Sequence, residues 1–191
     1  MQDIYLIHCW GGNQNSDWYP WLKKELSKHN LNLNILEMPN TDSPNPKEWI
    51  PYIQKNVNPN NAVFIGHSVG CQAILRYLAI LNKNIKVKAC ILVAGWTKLK
   101  PIVYEQEGAL DIAKPWLTPI DWNKAKTHCD NFIYIYSNND PYVYESDSLI
   151  FKDKLKAKLI LIKNKFHFGG GDESNITKLD EVLNEILKIK I

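Results

Sequence analysis

Ala62-Val63-Phe64-Ile65-Gly66-His67-Ser68-Val69-Gly70-Cys71 is the stretch whose reading decides the fold. Four apolar residues in a row describe a short buried strand. The Gly66-x-Ser68-x-Gly70 turn follows. From Gln72 to Leu81, apolar Ala73, Ile74, Tyr77, Leu78 and Leu81 recur at helical spacing. A strand, a tight glycine-flanked turn and a helix form the context in which a G-x-S-x-G match becomes a nucleophile elbow. The glycines are required because side chains at 66 and 70 would collide with neighbouring backbone. Ser68 takes the strained position at the tip, and the helix that starts behind it turns free N–H groups toward any developing oxyanion. The bland alternative is a turn that merely packs a helix on a strand, so the remainder of the chain must supply a base and an acid.

Outward from this stretch, short apolar runs alternate with helical patterns. Strands are expected at Ile4–Ile7, Leu33–Leu36, Ala62–Ile65, Lys88–Val93, Asn131–Tyr136 and Lys158–Ile162. Helices are expected from a cap at Ser16 or Asp17 to about Lys28, from Lys47 to Val57 with Pro51 in its first turn, after the elbow, from Tyr144 to Leu155, and from Ile176 to Ile189. The last is amphipathic, with Leu179, Val182, Leu183, Ile186 and Leu187 inward. Residues 97–127 show weak periodicity and several prolines, which predicts an irregular insertion with one or two short helical pieces. Strands that are nearly all apolar and alternate with helices predict an α/β fold: a three-layer α/β/α sandwich on a parallel sheet of about six strands. The 191 residues, 45% of them hydrophobic, suit one domain over 1–191 and leave little room for a large lid.

Ligands of such sheets sit outside the carboxyl ends of the strands. Ser68 follows strand three, Asp140 strand five and His167 strand six. A serine hydroxyl needs an imidazole to take its proton and an acid to orient that imidazole. The order Ser…Asp…His is that of the α/β-hydrolases. Alone, Asp140 reads as a turn-forming Asn-Asp-Pro and His167 as a loop histidine; at consecutive strand exits behind an elbow they form a set. His67 is expected to point away from the hydroxyl, His8 to tie down its loop, and His29 and His128 to lie on the surface. The backbone N–H groups of Val69 and Trp10 are the candidate oxyanion donors, and Trp96 and Trp116 the candidate substrate-binding walls, although both tryptophans have the alternative of pinning the insertion.

Net charge is only +3, and Arg76 is the only arginine, which argues against a nucleic-acid partner. No run reaches the length of a membrane span, and no basic-then-apolar leader opens the chain. Cys9, Cys71, Cys90 and Cys129 form no C-x-x-C pair and read as free buried thiols in a reducing, cytoplasmic setting. No metal-ligand spacing and no cofactor motif is present.

Trp18-Tyr19-Pro20-Trp21-Leu22, Met38-Pro39, Glu48-Trp49-Ile50-Pro51, the elbow, Asn139-Asp140-Pro141-Tyr142-Val143 and His167-Phe168 together resemble the small serine hydrolases of the retinoblastoma-binding protein nine type. The resemblance covers nearly the whole chain. It implies a compact α/β-hydrolase without a large lid and a triad of Ser68, Asp140 and His167. Two departures stand out: Cys9 and Phe166 occupy positions where many relatives carry glycine. The L-x-C-x-E pattern that motivates retinoblastoma binding is absent, so no specific protein partner is inferred. The expected activity is hydrolysis of carboxylic esters or related small-molecule acyl substrates. The alternatives are amide or thioester cleavage by the same triad, and a non-catalytic interaction module on the same fold.

Overall fold

The structure is a computed structural model that describes residues 3–171 and 174–189. Six parallel strands, β1 (Ile4–Ile7), β2 (Leu33–Ile35), β3 (Val63–His67), β4 (Ala89–Val93), β5 (Phe132–Ser137) and β6 (Lys158–Ile162), pair in the order β2-β1-β3-β4-β5-β6. The helices are α1 (Tyr19–Ser27), α2 (Pro46–Asn56), α3 (Val69–Leu78), α4 (Ala109–Ala113), α5 (Trp122–Thr127), α6 (Asp147–Leu155) and α7 (Asp180–Lys188). Successive side chains of a strand point to opposite faces. Ile4, Leu6, Val63, Ile65, Ile91 and Val93 therefore meet α1 and α7 on one face. Tyr5, Ile7, Phe64, Cys90 and Leu92 meet α2, α3 and α6 on the other. This is the three-layer sandwich expected from the apolar strands.

Several boundaries differ from the sequence reading for local reasons. Neither Ser16 nor Asp17 caps α1; Trp18 holds the N-cap position without a side-chain bond. Pro51 lies inside α2 rather than in its first turn. The carbonyl it deprives of a partner belongs to exposed Lys47, where water can serve it. The insertion after β4 holds four short pieces, not one or two: 3-10 turns at Pro101–Glu105 and Lys114–Leu117, with α4 and α5. α7 starts four residues later than expected, and Leu187 is exposed rather than inward. β6 is an edge strand, and of its five residues only Ile162 is buried, while Lys158 and Leu161 are exposed. His128 is buried, its Nδ1 2.8 Å from the Ile85 carbonyl, instead of lying on the surface.

From β1 the chain moves outward to β2, and from β3 it moves the other way through β4 to β6. The reversal falls between β1 and β3, and such a switch point opens a crevice at the carboxyl edge of the sheet. The loop after β1 and the turn after β3 border that crevice.

Candidate functional site

Ser68 stands between β3 and α3 with φ 54° and ψ −118°, a conformation that L residues rarely adopt. The glycines around it are there for space. A Cβ at Gly70 would sit 2.8 Å from the Ile7 carbonyl carbon and 2.9 Å from the His8 oxygen. A Cβ at Gly66 would sit 2.8 Å from the Cys71 nitrogen. The first turn of α3 is thereby pressed onto the end of β1.

Asp140 and His167 are both buried, and His167 Nδ1 lies 2.7 Å from Asp140 Oδ2. The other carboxylate oxygen of Asp140 accepts the backbone N–H groups of Tyr142 (2.8 Å) and Val143 (2.9 Å). The turns that carry the two residues are tied to each other. Lys165 N–H donates to Ser137 Oγ (3.0 Å), Phe166 N–H to Asn139 Oδ1 (2.9 Å) and Asn164 N–H to Asn138 Oδ1 (2.9 Å). The polar run Ser137-Asn138-Asn139 after an apolar strand is the sequence signal for this lacing, which the sequence reading took only as a turn. The start of the insertion supports the same turn. Leu99 bridges Val143, Lys100 N–H donates to the Tyr142 carbonyl (2.8 Å), and Lys100 Nζ donates to the Asp140 carbonyl (2.6 Å).

Asp147 has a different role. It is buried, and its carboxylate accepts Thr97 N–H (2.8 Å) and Thr97 Oγ1–H (2.9 Å), pinning the other flank of the insertion. Burial pushes its carboxyl above the ordinary value despite those bonds.

A cleft of about 420 Å³ joins Ser68, Val69 and His167 to Cys9, Trp10 and Trp96. Its far wall comes from the insertion, with Leu99, Ile102, Val103 and Ala109. The weak periodicity of that segment concealed these residues at the level of sequence. Trp96 is in the cleft. Trp116 is not: it is buried against Trp49, with ring centroids 5.8 Å apart, and its Nε1 donates to the Pro44 carbonyl (2.7 Å). It fastens the insertion to the loop before α2.

In the loop after β1, Cys9 N–H donates to Tyr19 Oη (3.3 Å), Gly11 N–H to the Thr41 carbonyl (2.8 Å) and Gly12 N–H to the Cys9 carbonyl (3.1 Å). Trp10 N–H is the loop donor between them that no backbone or side-chain acceptor takes among the described residues, while the Trp10 indole donates to the Asp42 carbonyl (2.9 Å). Val69 opens α3, so its N–H has no intrahelical acceptor. His8 ties this loop down as expected: its Nδ1 lies 2.8 Å from the Cys9 carbonyl and its Nε2 accepts Met38 N–H (3.3 Å).

Cys9, Asp17 and His67 bring one potential ligand atom each within 4.8 Å of one another. Each is engaged in hydrogen bonding: Asp17 Oδ2 accepts Gly170 N–H (3.0 Å), and Tyr19 Oη lies 2.7 Å from His67 Nδ1 and 3.5 Å from Cys9 Sγ. Burial pushes the Cys9 thiol up to about 12, so it remains protonated at neutral pH. All four cysteines are free and buried. No helix among the described residues is long and apolar enough to cross a membrane.

Residues 4–185 match the sequence pattern of the serine hydrolase family. The Bacillus subtilis protein YdeN is 33% identical over 102 residues, which cover 52% of this chain and 54% of that one. The rat serine hydrolase RBBP9 is 28% identical over 154 residues, covering 79% of this chain and 77% of the relative. The crystal structure of YdeN superposes with a TM-score of 0.87 at 26% identity, covering 99% of this chain and 98% of that one. The fold is also that of the esterase Est1E from Butyrivibrio proteoclasticus, solved with ferulic acid, at a TM-score of 0.71, 14% identity and coverage of 99% and 89%. With nearly its whole length matched by the family pattern, the chain belongs to the serine hydrolase family.

Proposed function

We propose that the protein hydrolyses small to medium carboxylic esters through an acyl-enzyme on Ser68. His167 is the base and Asp140 the orienting acid. The observation that carries this reading is the 2.7 Å contact between His167 Nδ1 and Asp140 Oδ2, in the cleft that Ser68 enters from its strained turn. Asp140 holds the proton of His167 on Nδ1, which leaves Nε2 as the basic atom. Nε2 takes the Ser68 proton as Oγ attacks the ester carbonyl, and returns it to the leaving alkoxide when the tetrahedral intermediate collapses. Water then attacks the acyl-serine with the same base, releasing the acid and regenerating Ser68. Val69 N–H and Trp10 N–H are the oxyanion donors in this reading, supported by their lack of acceptors among the described residues. The chemistry needs no cofactor.

Trp10, Trp96, Leu99, Ile102 and Val103 give the cleft an apolar wall, which favours an apolar acyl or leaving group of modest size. The test is labelling with a fluorophosphonate followed by mapping of the modified residue. Wild type is expected to carry the label on Ser68, and Ser68→Ala to carry none. Equal labelling of both, or of neither, rejects the hydrolase mechanism.

A further inference from the structure

Tyr19 and His67 have no part in the mechanism above, yet both are buried behind it. Tyr19 opens α1, and His67 ends β3 immediately before Ser68. Both are wholly inaccessible to solvent. Three contacts run through them: Cys9 N–H donates to Tyr19 Oη (3.3 Å), Tyr19 Oη meets His67 Nδ1 (2.7 Å), and His67 Nε2 meets the backbone carbonyl of His167 (2.8 Å).

With the His67 ring neutral, the chemistry of the ends sets the direction of the chain. A carbonyl oxygen only accepts, so His67 Nε2 carries a hydrogen. In the neutral ring Nδ1 is then a lone pair, and Tyr19 Oη–H donates to it. Burial pushes the Tyr19 phenol well above its ordinary value, so the hydroxyl keeps the proton that this bond requires. That proton is spent on His67, and the Tyr19 oxygen accepts the Cys9 N–H. Hydrogen bonds thus lead from the loop that bears Trp10 to the loop that bears His167, through one side chain from α1 and one from β3.

The base loop needs such a hold. Phe166 and Phe168, on either side of His167, have φ of 48° and 62°, and Gly169 and Gly170 continue with φ of 109° and 72°. Asp140 fixes one ring nitrogen of His167, while His67 fixes its backbone carbonyl. The His67 ring also lies 5.4 Å from the His167 ring, and Tyr142 meets that ring edge-on at 5.1 Å.

The geometry points to Tyr19 and His67 as positioning residues that hold the oxyanion loop and the base loop in mutual register for acyl transfer. This rests on the ester-hydrolase reading of Ser68, Asp140 and His167. A misplacement of a catalytic group by about 1 Å can cost roughly 100-fold in rate. Of the residues that hydrogen-bond the hydroxyl, Cys9 and His67, only Cys9 lines the cleft, so its loss is a loss of turnover, not of substrate affinity.

The experiment compares Tyr19→Phe, His67→Phe and His67→Gln with wild type, using p-nitrophenyl butyrate, fluorophosphonate labelling rates and thermal midpoints. Tyr19→Phe keeps the ring and removes only the hydroxyl. Its kcat and labelling rate are expected to fall about 10–100-fold, with KM within about twofold. His67→Gln restores a side-chain N–H for the His167 carbonyl and should recover much of the turnover that His67→Phe loses. A folded Tyr19→Phe with kcat within twofold of wild type overturns the proposal, as does a loss confined to KM or a His67→Gln no better than His67→Phe. If His67→Phe does not fold, Tyr19→Phe decides. A second readout needs no substrate: the low-field proton NMR signal of the His167–Asp140 hydrogen bond should shift or broaden in Tyr19→Phe, and an unchanged signal overturns the proposal. A wild type that neither labels at Ser68 nor hydrolyses esters rejects the hydrolase reading instead, and the NMR signal still tests the chain.

Discussion

Asp140 divides its carboxylate between two tasks. One oxygen is spent on the Tyr142 and Val143 N–H groups and fixes the turn, and the other is left for His167. Replacing it with Asn preserves the oxygen that accepts from the turn but substitutes an N–H₂ donor for the group that orients His167. Asp140→Asn is therefore expected to stay folded and lose about 10³–10⁴-fold in kcat, the scale seen when the acid of a serine protease triad is amidated. Circular dichroism with ester turnover checks this, and a near wild-type rate in a folded variant moves the acid elsewhere. His8 illustrates a titrating group outside the reaction. Burial pushes its imidazole below the ordinary 6.5, although the Cys9 carbonyl works in the other direction. Its Nε2 accepts Met38 N–H, which only the neutral ring can do. Below about pH 6.5 the unfolded chain binds a proton at His8 that the folded chain refuses, so this residue makes stability fall as pH drops. Thermal midpoints between about pH 8 and pH 5 should show a steeper decline in wild type than in His8→Gln, whose side chain does not titrate. Parallel curves would remove His8 from the account. The placement of Ser68, Asp140 and His167 just past strand ends was legible in sequence because periodicity identifies those strands. The contact between them was not legible, because it depends on the lacing of two turns 27 residues apart.

At the scale of elements, the insertion between β4 and β5 is held by discrete ties rather than by regular structure. Arg76, on α3, donates to the carbonyls of Trp116 (2.7 Å), Thr118 (2.6 Å) and Pro119 (3.4 Å). The planar fork of its guanidinium suits several acceptors at once, which an ammonium does not reproduce. Hydrogen bonds from a charged donor contribute about 1.5–3 kcal/mol. Arg76→Ala is expected to lose about that much stability, and the thermal midpoint to fall by roughly 2–4 °C per kcal/mol for a chain of this length. Arg76→Lys should recover only part of the loss; full recovery would show that charge alone suffices. Trp116 belongs to the same anchorage, which is why an aromatic residue in a proline-rich segment was a poor guide to the substrate wall. The helical stripe, by contrast, was an adequate guide to α3, since nine of its ten residues are buried in the layer the elbow requires.

For the whole molecule, the insertion covers the carboxyl edge of the sheet and bounds the cleft at about 420 Å³. A pocket of that size lies at the low end of the range for small ligands. In a series of p-nitrophenyl esters from acetate to palmitate, kcat/KM should peak at short or medium acyl groups. Trp96→Ala should raise KM or shift the preferred length while the protein stays folded. A preference for palmitate, or unchanged selectivity in Trp96→Ala, would contradict the apolar wall assigned to Trp96. The sequence by itself determined the alternation of apolar strands with helices, the elbow with its two space-limited glycines, and the strand ends at which Asp140 and His167 lie. These are local properties, carried by periodicity, steric demand and spacing along the chain. Tertiary structure alone decided that Trp96 faces the cleft while Trp116 is buried on Trp49, that the Ser137–Asn139 turn holds the His167 loop, and that Tyr19 and His67 bridge the loops after β1 and β6. Each of these depends on groups far apart in the chain meeting with their donors and acceptors matched, and hydropathy patterns carry no information about such pairing.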